Sequence, residues 1–137
     1  MWLLMPEEKY EAIVRKILDA YNRQSLEEWI TYFSGDVEVR WPDGAAPNIE
    51  GLREEFAEII HILPDRKFDV HRLTSQGGTV VAELTVSGTH RGAEFMGVPP
   101  SGKSIKMSMA HVFDFREDKV KKWTVYANYQ TMMDQLK

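Results

Sequence analysis

Residues 104–115 read Ser104-Ile105-Lys106-Met107-Ser108-Met109-Ala110-His111-Val112-Phe113-Asp114-Phe115. The alternation puts Ile105, Met107, Met109, His111, Phe113 and Phe115 on one face of a strand, because successive strand side chains point to opposite sides. The period of two continues outward in both directions. Downstream, Glu117-Asp118 turns the chain back into Lys119–Asn128, where Trp123, Val125 and Ala127 share a side. Upstream lies a loop from Gly92 to Gly102 containing Pro99-Pro100. Before it, Val80, Ala82, Leu84 and Val86 form an apolar face opposite Glu83, Thr85 and Ser87. His90 joins that apolar face if the strand runs on without a bulge. Gly77-Gly78 turns the chain out of a further strand at Phe68–Thr74. The long strands are thus expected near residues 67–75, 79–90, 104–116 and 119–128. No helix separates them, so they pair antiparallel.

The N-terminal half has a different period. Tyr10, Ile13, Val14, Ile17, Leu18 and Tyr21 form one apolar stripe of a helix over Glu7–Arg23. Ser25-Leu26-Glu27-Glu28 matches a capping box and starts a shorter helix with Trp29, Ile30 and Phe33 facing inward. Ser34-Gly35-Asp36 ends that helix, and Val37–Trp41 reads as a short strand broken by Pro42-Asp43-Gly44. A third helix over Gly51–Leu63 carries Leu52, Phe56, Ile59, Ile60 and Leu63 and stops at Pro64. Tyr129–Leu136 reads as a short closing helix. Three N-terminal helices followed by a run of antiparallel strands make an α+β fold, with helices packed on a curved, antiparallel-rich sheet.

Composition sets bounds on function. A chain of 137 residues suits one domain over 1–137. It has no cysteine, which excludes disulfides, thiol catalysis and Cys-ligated zinc. A net charge of −4 leaves no footprint for nucleic acid, and the Lys119, Lys121, Lys122 cluster reads as a solvated face at a hairpin. The run Met1-Trp2-Leu3-Leu4-Met5-Pro6 is too short for a signal peptide or a membrane span, so no membrane partner is expected and the cytoplasm is the default location. Gly77-Gly78 opens no helix, so it is a turn and not a phosphate loop. There is no G-x-S-x-G elbow.

Gly88-Thr89-His90-Arg91-Gly92, followed by Glu94-Phe95-Met96-Gly97-Val98-Pro99-Pro100-Ser101-Gly102-Lys103, resembles the GTHxG…EFMGxPPTGK signature of SnoaL-like polyketide cyclases. Val112-Phe113-Asp114-Phe115 and Lys119-Val120-Lys121-Lys122-Trp123 are similar to that family's FRFEDGKIVEEW hairpin. Leu63-Pro64-Asp65 with Phe68 resembles its PDxxF approach to the sheet, and Gly51 falls where the family places a glycine. The resemblance covers nearly the whole chain. It implies a nuclear transport factor 2-like cone with a pocket between sheet and helices, pairing as a homodimer through the outer sheet face. It also implies ring closure by intramolecular aldol chemistry without metal or organic cofactor, in which a carboxylate moves the protons. The family's acid sits four residues after the last strand's tryptophan; here Trp123-Thr124-Val125-Tyr126-Ala127 puts Ala127 at that position. The neighbouring Asn128 points to the other face, and an amide exchanges no proton at neutral pH.

With that acid missing, His90 and His111 are the candidate catalytic bases, since a buried histidine can be tuned to neutral pH. The competing reading makes each a core histidine satisfied by a backbone carbonyl. Two histidines without a placed carboxylate are an incomplete metal set, so no metal is expected. Trp41, Arg40, Phe95, Met96, Met107, Met109, Phe113, Trp123 and Ala127 are the candidate pocket residues for a small apolar or aromatic molecule, with simple core packing as the alternative. Arg40 and Asp43 lie where the pocket is expected to open. Three functions stay open. One is a cofactor-independent cyclase, isomerase or lyase moving protons on a polyketide-like or other small carbonyl compound. The second is a non-catalytic ligand-binding protein, and the third a dimerising structural domain.

Overall fold

The computed structural model describes residues 6–137; the Met1–Met5 run lies outside the described residues. The chain runs α1 (Pro6–Asn22), α2 (Leu26–Trp29), a 3₁₀ turn (Ile30–Tyr32), β1 (Phe33–Arg40), α3 (Ile49–Ile62), β2 (Lys67–Gln76), β3 (Thr79–Thr89), β4 (Ser104–Arg116), β5 (Lys119–Tyr126) and α4 (Tyr129–Leu136). The strands form one sheet in the order β1-β5-β4-β3-β2. This is the nuclear transport factor 2-like α+β fold, four helices on a mixed, curved sheet.

The antiparallel meander β2-β3-β4-β5 follows the alternation in the sequence, with Ala82 opposite His111 and His111 opposite Val125. The register slips between Val70 and Arg72. Such an extra residue bends a strand and increases its twist. The β1 strand corrects the sequence reading at its start. It begins at Phe33 and not Val37, because Ser34-Gly35-Asp36, which look like a helix stop, form an irregular first part of the strand, with a register shift between Phe33 and Glu38. Arg116 at the end of β4 holds that segment through Asp36 Oδ1 at 2.7 Å and Ser34 Oγ at 3.0 Å. In addition, β1 pairs parallel with β5. The intervening helices and strands supply the long crossover that parallel neighbours require.

Two reciprocal amide clips tie helices to strands. Asn22 at the end of α1 donates to Phe68 O (2.9 Å) and accepts from Phe68 N (2.8 Å) at the start of edge strand β2. Gln135 of α4 does the same with Lys106 of β4, at 2.8 and 2.7 Å. Between the layers lies one apolar core, in which Val14, Ile17, Leu52, Leu84, Ile105 and Phe113 are almost fully buried. Strand β5 ends at Tyr126, two residues earlier than expected, because Asn128 caps α4 by accepting from Gln130 N at 3.0 Å.

The turn between α3 and β2 is fixed by residues of the Gly88–Gly92 stretch. Asp65 accepts from Thr89 N (2.7 Å) and Thr89 Oγ1 (2.8 Å). At Gly88 a Cβ would already lie 3.2 Å from Leu63 Cβ and 3.4 Å from Arg66 Cα. Arg91 N and Gly92 N both donate to Ile62 O, satisfying a carbonyl at the end of α3. At Gly92 a Cβ would sit 1.4 Å from His61 O, so no side chain fits unless the backbone separates. Gly92→Ala is therefore expected to destabilise the fold by more than about 2 kcal/mol. Urea unfolding with an unchanged midpoint would show that this backbone contact is dispensable.

Candidate functional site

Between the inner face of the sheet and the helices, α4 included, lies a cavity of about 390 Å³ that is open at one rim, within the range of small-molecule sites. Trp29, Leu52, Phe56, Ile59, Ile62 and Leu63 contribute the helical wall. Phe68, Val86, Ile105, Met109, Trp123 and Val125 contribute the sheet wall. Phe95 and Met96 close over it from the loop between β3 and β4. Paired backbone hydrogen bonds between Phe95 and Val98, each 2.9 Å, make that loop tip a tight hairpin turn. Met96 (φ 51°) and Gly97 (φ 84°) occupy its central positions, both left-handed as a type I′ turn requires.

His111 lines the cavity and is 1% exposed. Trp123 Nε1 donates to its Nδ1 at 3.3 Å. An indole N–H can only donate, so Nδ1 is the acceptor and the neutral imidazole carries its proton on Nε2. That Nε2–H is buried and has no partner among the described residues. Burial pushes the His111 imidazole down to about 3. It is a neutral hydrogen-bond donor at physiological pH, not the tuned base that an inward-facing histidine suggested.

Arg66 was missed in the sequence. It is 2% exposed, lines the cavity, and has Nε, Nη1 and Nη2 all buried without an acceptor in hydrogen-bond geometry among the described residues; its charge does reach the buried Tyr21 hydroxyl, whose pKa burial raises and Arg66 pulls back. Its guanidinium carbon lies 3.8 Å from the centre of the Tyr21 ring and 4.8 Å from that of Phe56. Tyr21 stacks on Phe68 (4.2 Å), and Phe68 meets His111 edge-on (5.2 Å), so one aromatic wall runs from Arg66 to His111. In Pro64-Asp65-Arg66-Lys67-Phe68 the residue resembles a solvated turn charge. The signal that could have found it is its phase, since Arg66 lies two before the inward-facing Phe68.

Four carboxylates, Asp43, Glu55, Glu58 and Glu94, line the solvent-accessible rim. Glu55 Oε2 accepts from Trp41 Nε1 at 2.9 Å. Partial burial raises the Glu55 carboxyl above the usual range; the Trp41 bond opposes this, and the neighbouring Glu58 and Asp43 reinforce it. Tyr129, also at the cavity, is pushed up to about 12 by burial and then by Asp43 and Glu55. Glu55 too could have been found in the sequence, since it lies three after Leu52 and four before Ile59 on the inward stripe of α3. Among the described residues no group of three or more His, Asp or Glu is arranged to hold a metal ion, and no helix is long and apolar enough to cross a membrane.

Of the sequence candidates, His111, Trp41, Phe95, Met96, Met109 and Trp123 meet at this cavity. The others are corrected. His90 does not share it: its Nε2 donates to Ala93 O and its ring packs edge-on to Phe95, so it anchors the loop as a core histidine. Met107 and Phe113 are inward-facing but buried in the core at 3% and 0% exposure, away from the cavity lining. Arg40 is exposed, pairs with Glu38 at 2.6 Å, and lines a separate outer groove. Ala127 lines that same groove, because β5 has already ended.

The depressed His111 predicts a pH signature. The unfolded imidazole takes up a proton below about 6.5, whereas the folded one does so only near 3. Stability is therefore fully present above about 6.5 and is lost as pH falls toward 3. The stability of His111→Phe relative to the unmodified protein should rise by about 1 kcal/mol per pH unit between pH 6 and 4. A pH-independent difference in urea unfolding would contradict the buried neutral ring.

The family model of the SnoaL-like polyketide cyclases matches residues 11–136. Among solved structures, AclR, a hydroxylase candidate from Streptomyces galilaeus, is similar with a TM-score of 0.85 and 22% identity over 95% of this chain and 96% of that one. IdmH, a polyketide cyclase candidate from Streptomyces antibioticus, gives 0.82 and 23% over 97% and 99%. A SnoaL-like polyketide cyclase from Agrobacterium tumefaciens strain C58 gives 0.78 and 23% over 93% and 98%. A search of the curated proteins gives no match. Likenesses at these identities establish the fold and leave the reaction open. With the family match extending over nearly the whole chain, the protein belongs to the SnoaL-like polyketide cyclase family.

Proposed function

We propose that the protein is a cofactor-independent proton-transfer enzyme acting on a small, flat carbonyl compound, as a cyclase, isomerase or lyase, with Glu55 in place of the acid that Ala127 lacks. The observation that carries this reading is the His111 Nε2–H, a buried donor without an acceptor among the described residues, at the largely apolar wall of the cavity. A buried donor without a partner is costly in a resting protein. It is useful where an oxygen gains negative charge during reaction.

The chemistry assigned to these residues balances without a further reagent. The Glu55 carboxylate takes a proton from a carbon next to a carbonyl, and the resulting enolate oxygen accepts a hydrogen bond from His111 Nε2. The enolate carbon then attacks an electrophilic carbon of the same molecule, or takes back a proton at a new position. Glu55, now protonated, returns the proton. A carboxyl raised above the usual range suits both halves of that cycle. Trp41 holds Glu55 by its indole N–H, and the Phe95–Val98 turn covers the reacting centre. The competing reading, a protein that holds its ligand unchanged, is favoured by Ala127 alone, and Ala127 lies outside the cavity.

The test is deuterium incorporation from D₂O into a panel of aromatic 1,3-dicarbonyl compounds, followed by NMR. The unmodified protein should accelerate exchange, and Glu55→Gln should reduce the acceleration by about 10²-fold or more. Binding of the probes with exchange no faster than in buffer would decide for the binding protein.

A further inference from the structure

Proton transfer at a carbonyl needs a base and a donor, and neither demands a full positive charge inside the cavity. Arg66 supplies one. We infer that the Arg66 end of the cavity is an anion subsite, and that the natural ligand is a planar aromatic molecule carrying a carboxylate that pairs with this guanidinium. The inference deepens the proposed function by naming its substrate class, and rests on that reading only in sharing its cavity.

Three observations support it. First, Nε, Nη1 and Nη2 of this cationic side chain are all buried without an acceptor in hydrogen-bond geometry among the described residues. The acids that line the cavity, Asp43, Glu55, Glu58 and Glu94, stand at its exposed rim, and Arg66 forms no ion pair among the described residues. Second, the group is held in place. Tyr21 and Phe56 lie against it, the backbone of Arg66 packs on Gly88, and the preceding Asp65 is bound twice by Thr89. A planar guanidinium fixed in this way presents its N–H fork to a planar acceptor, the arrangement that carboxylates fill with two parallel hydrogen bonds. Third, the remaining wall is aromatic and apolar, whereas the rim is acidic. The rim would repel a second negative group, so the ligand is anionic at its inner end and neutral or cationic at its outer end.

The experiment compares 2-naphthoate with 2-naphthamide, which match in shape and differ in charge, by quenching of intrinsic tryptophan fluorescence. Trp29, Trp41 and Trp123 line the cavity and report occupancy. The unmodified protein should bind the carboxylate at least about 30-fold more tightly than the amide. Arg66→Met should abolish the preference while still binding the amide, and Arg66→Lys should keep part of it. Equal affinities in the unmodified protein, no naphthoate binding at millimolar concentration, or a preference that survives Arg66→Met would each overturn the inference. The unmodified protein decides by itself if Arg66→Met fails to fold. Glu55→Gln separates the two readings. A naphthoate preference without Glu55-dependent exchange would leave the anion subsite standing and remove the catalytic reading. Glu55-dependent exchange with equal naphthoate and naphthamide affinities would do the reverse.

Discussion

Burying an ion without a counter-ion costs several kcal/mol even after the protein relaxes around it. Among the described residues Arg66 is such an ion, and the aromatic rings of Tyr21 and Phe56 offset only about 2 kcal/mol of that cost. A domain stable by roughly 5–15 kcal/mol can carry this load, but an apolar side chain of the same length would be cheaper. The rest of the cavity follows the same logic. His111 is neutral because its surroundings refuse a charge, its tautomer is set by Trp123, and its free N–H is left without an acceptor. These two donor groups, without acceptors among the described residues and joined by one aromatic wall, are what the proposed ligand completes.

The residues that make the chain recognisable hold this arrangement and do not themselves perform the chemistry assigned to it. Asp65 and Thr89 bind each other and thereby set where Arg66 enters the cavity. Gly92 lets the loop approach the end of α3 more closely than any side chain permits, and Gly88 packs tightly against Leu63 and Arg66 of the α3–β2 turn. His90 anchors the loop that carries Phe95 and Met96 over the mouth.

The meander was legible because alternation along 67–128 has a single physical reading: one face apolar, one polar. The parallel pairing of β1 with β5 was not, because its partners lie some eighty residues apart in the sequence, and Ser34-Gly35-Asp36 has the local chemistry of a turn. Arg66 and Glu55 were legible in principle, since each is in phase with its apolar neighbours on β2 or α3. Arg66 is easily read as a surface residue, because charged side chains are seldom buried without a partner, and Glu55 does stand at the solvent-accessible rim, where only its Trp41 bond marks it. The opposite error concerned Ala127. Continuing the alternation of β5 by one residue pair placed it in the pocket, but the cap of α4 at Asn128 ends the strand first.

The central claim is that the cavity's buried donors await an anionic ligand, and the orientation of a bound ligand tests it most directly. A crystal structure with 4-iodobenzoate marks both ends of the molecule, the iodine by its anomalous scattering. The account predicts the carboxylate within hydrogen-bond distance of the Arg66 guanidinium, with the iodine pointing toward the rim near Met96. An iodine at the Arg66 end with the carboxylate in solvent, or an Arg66 side chain turned out of the cavity, would contradict it.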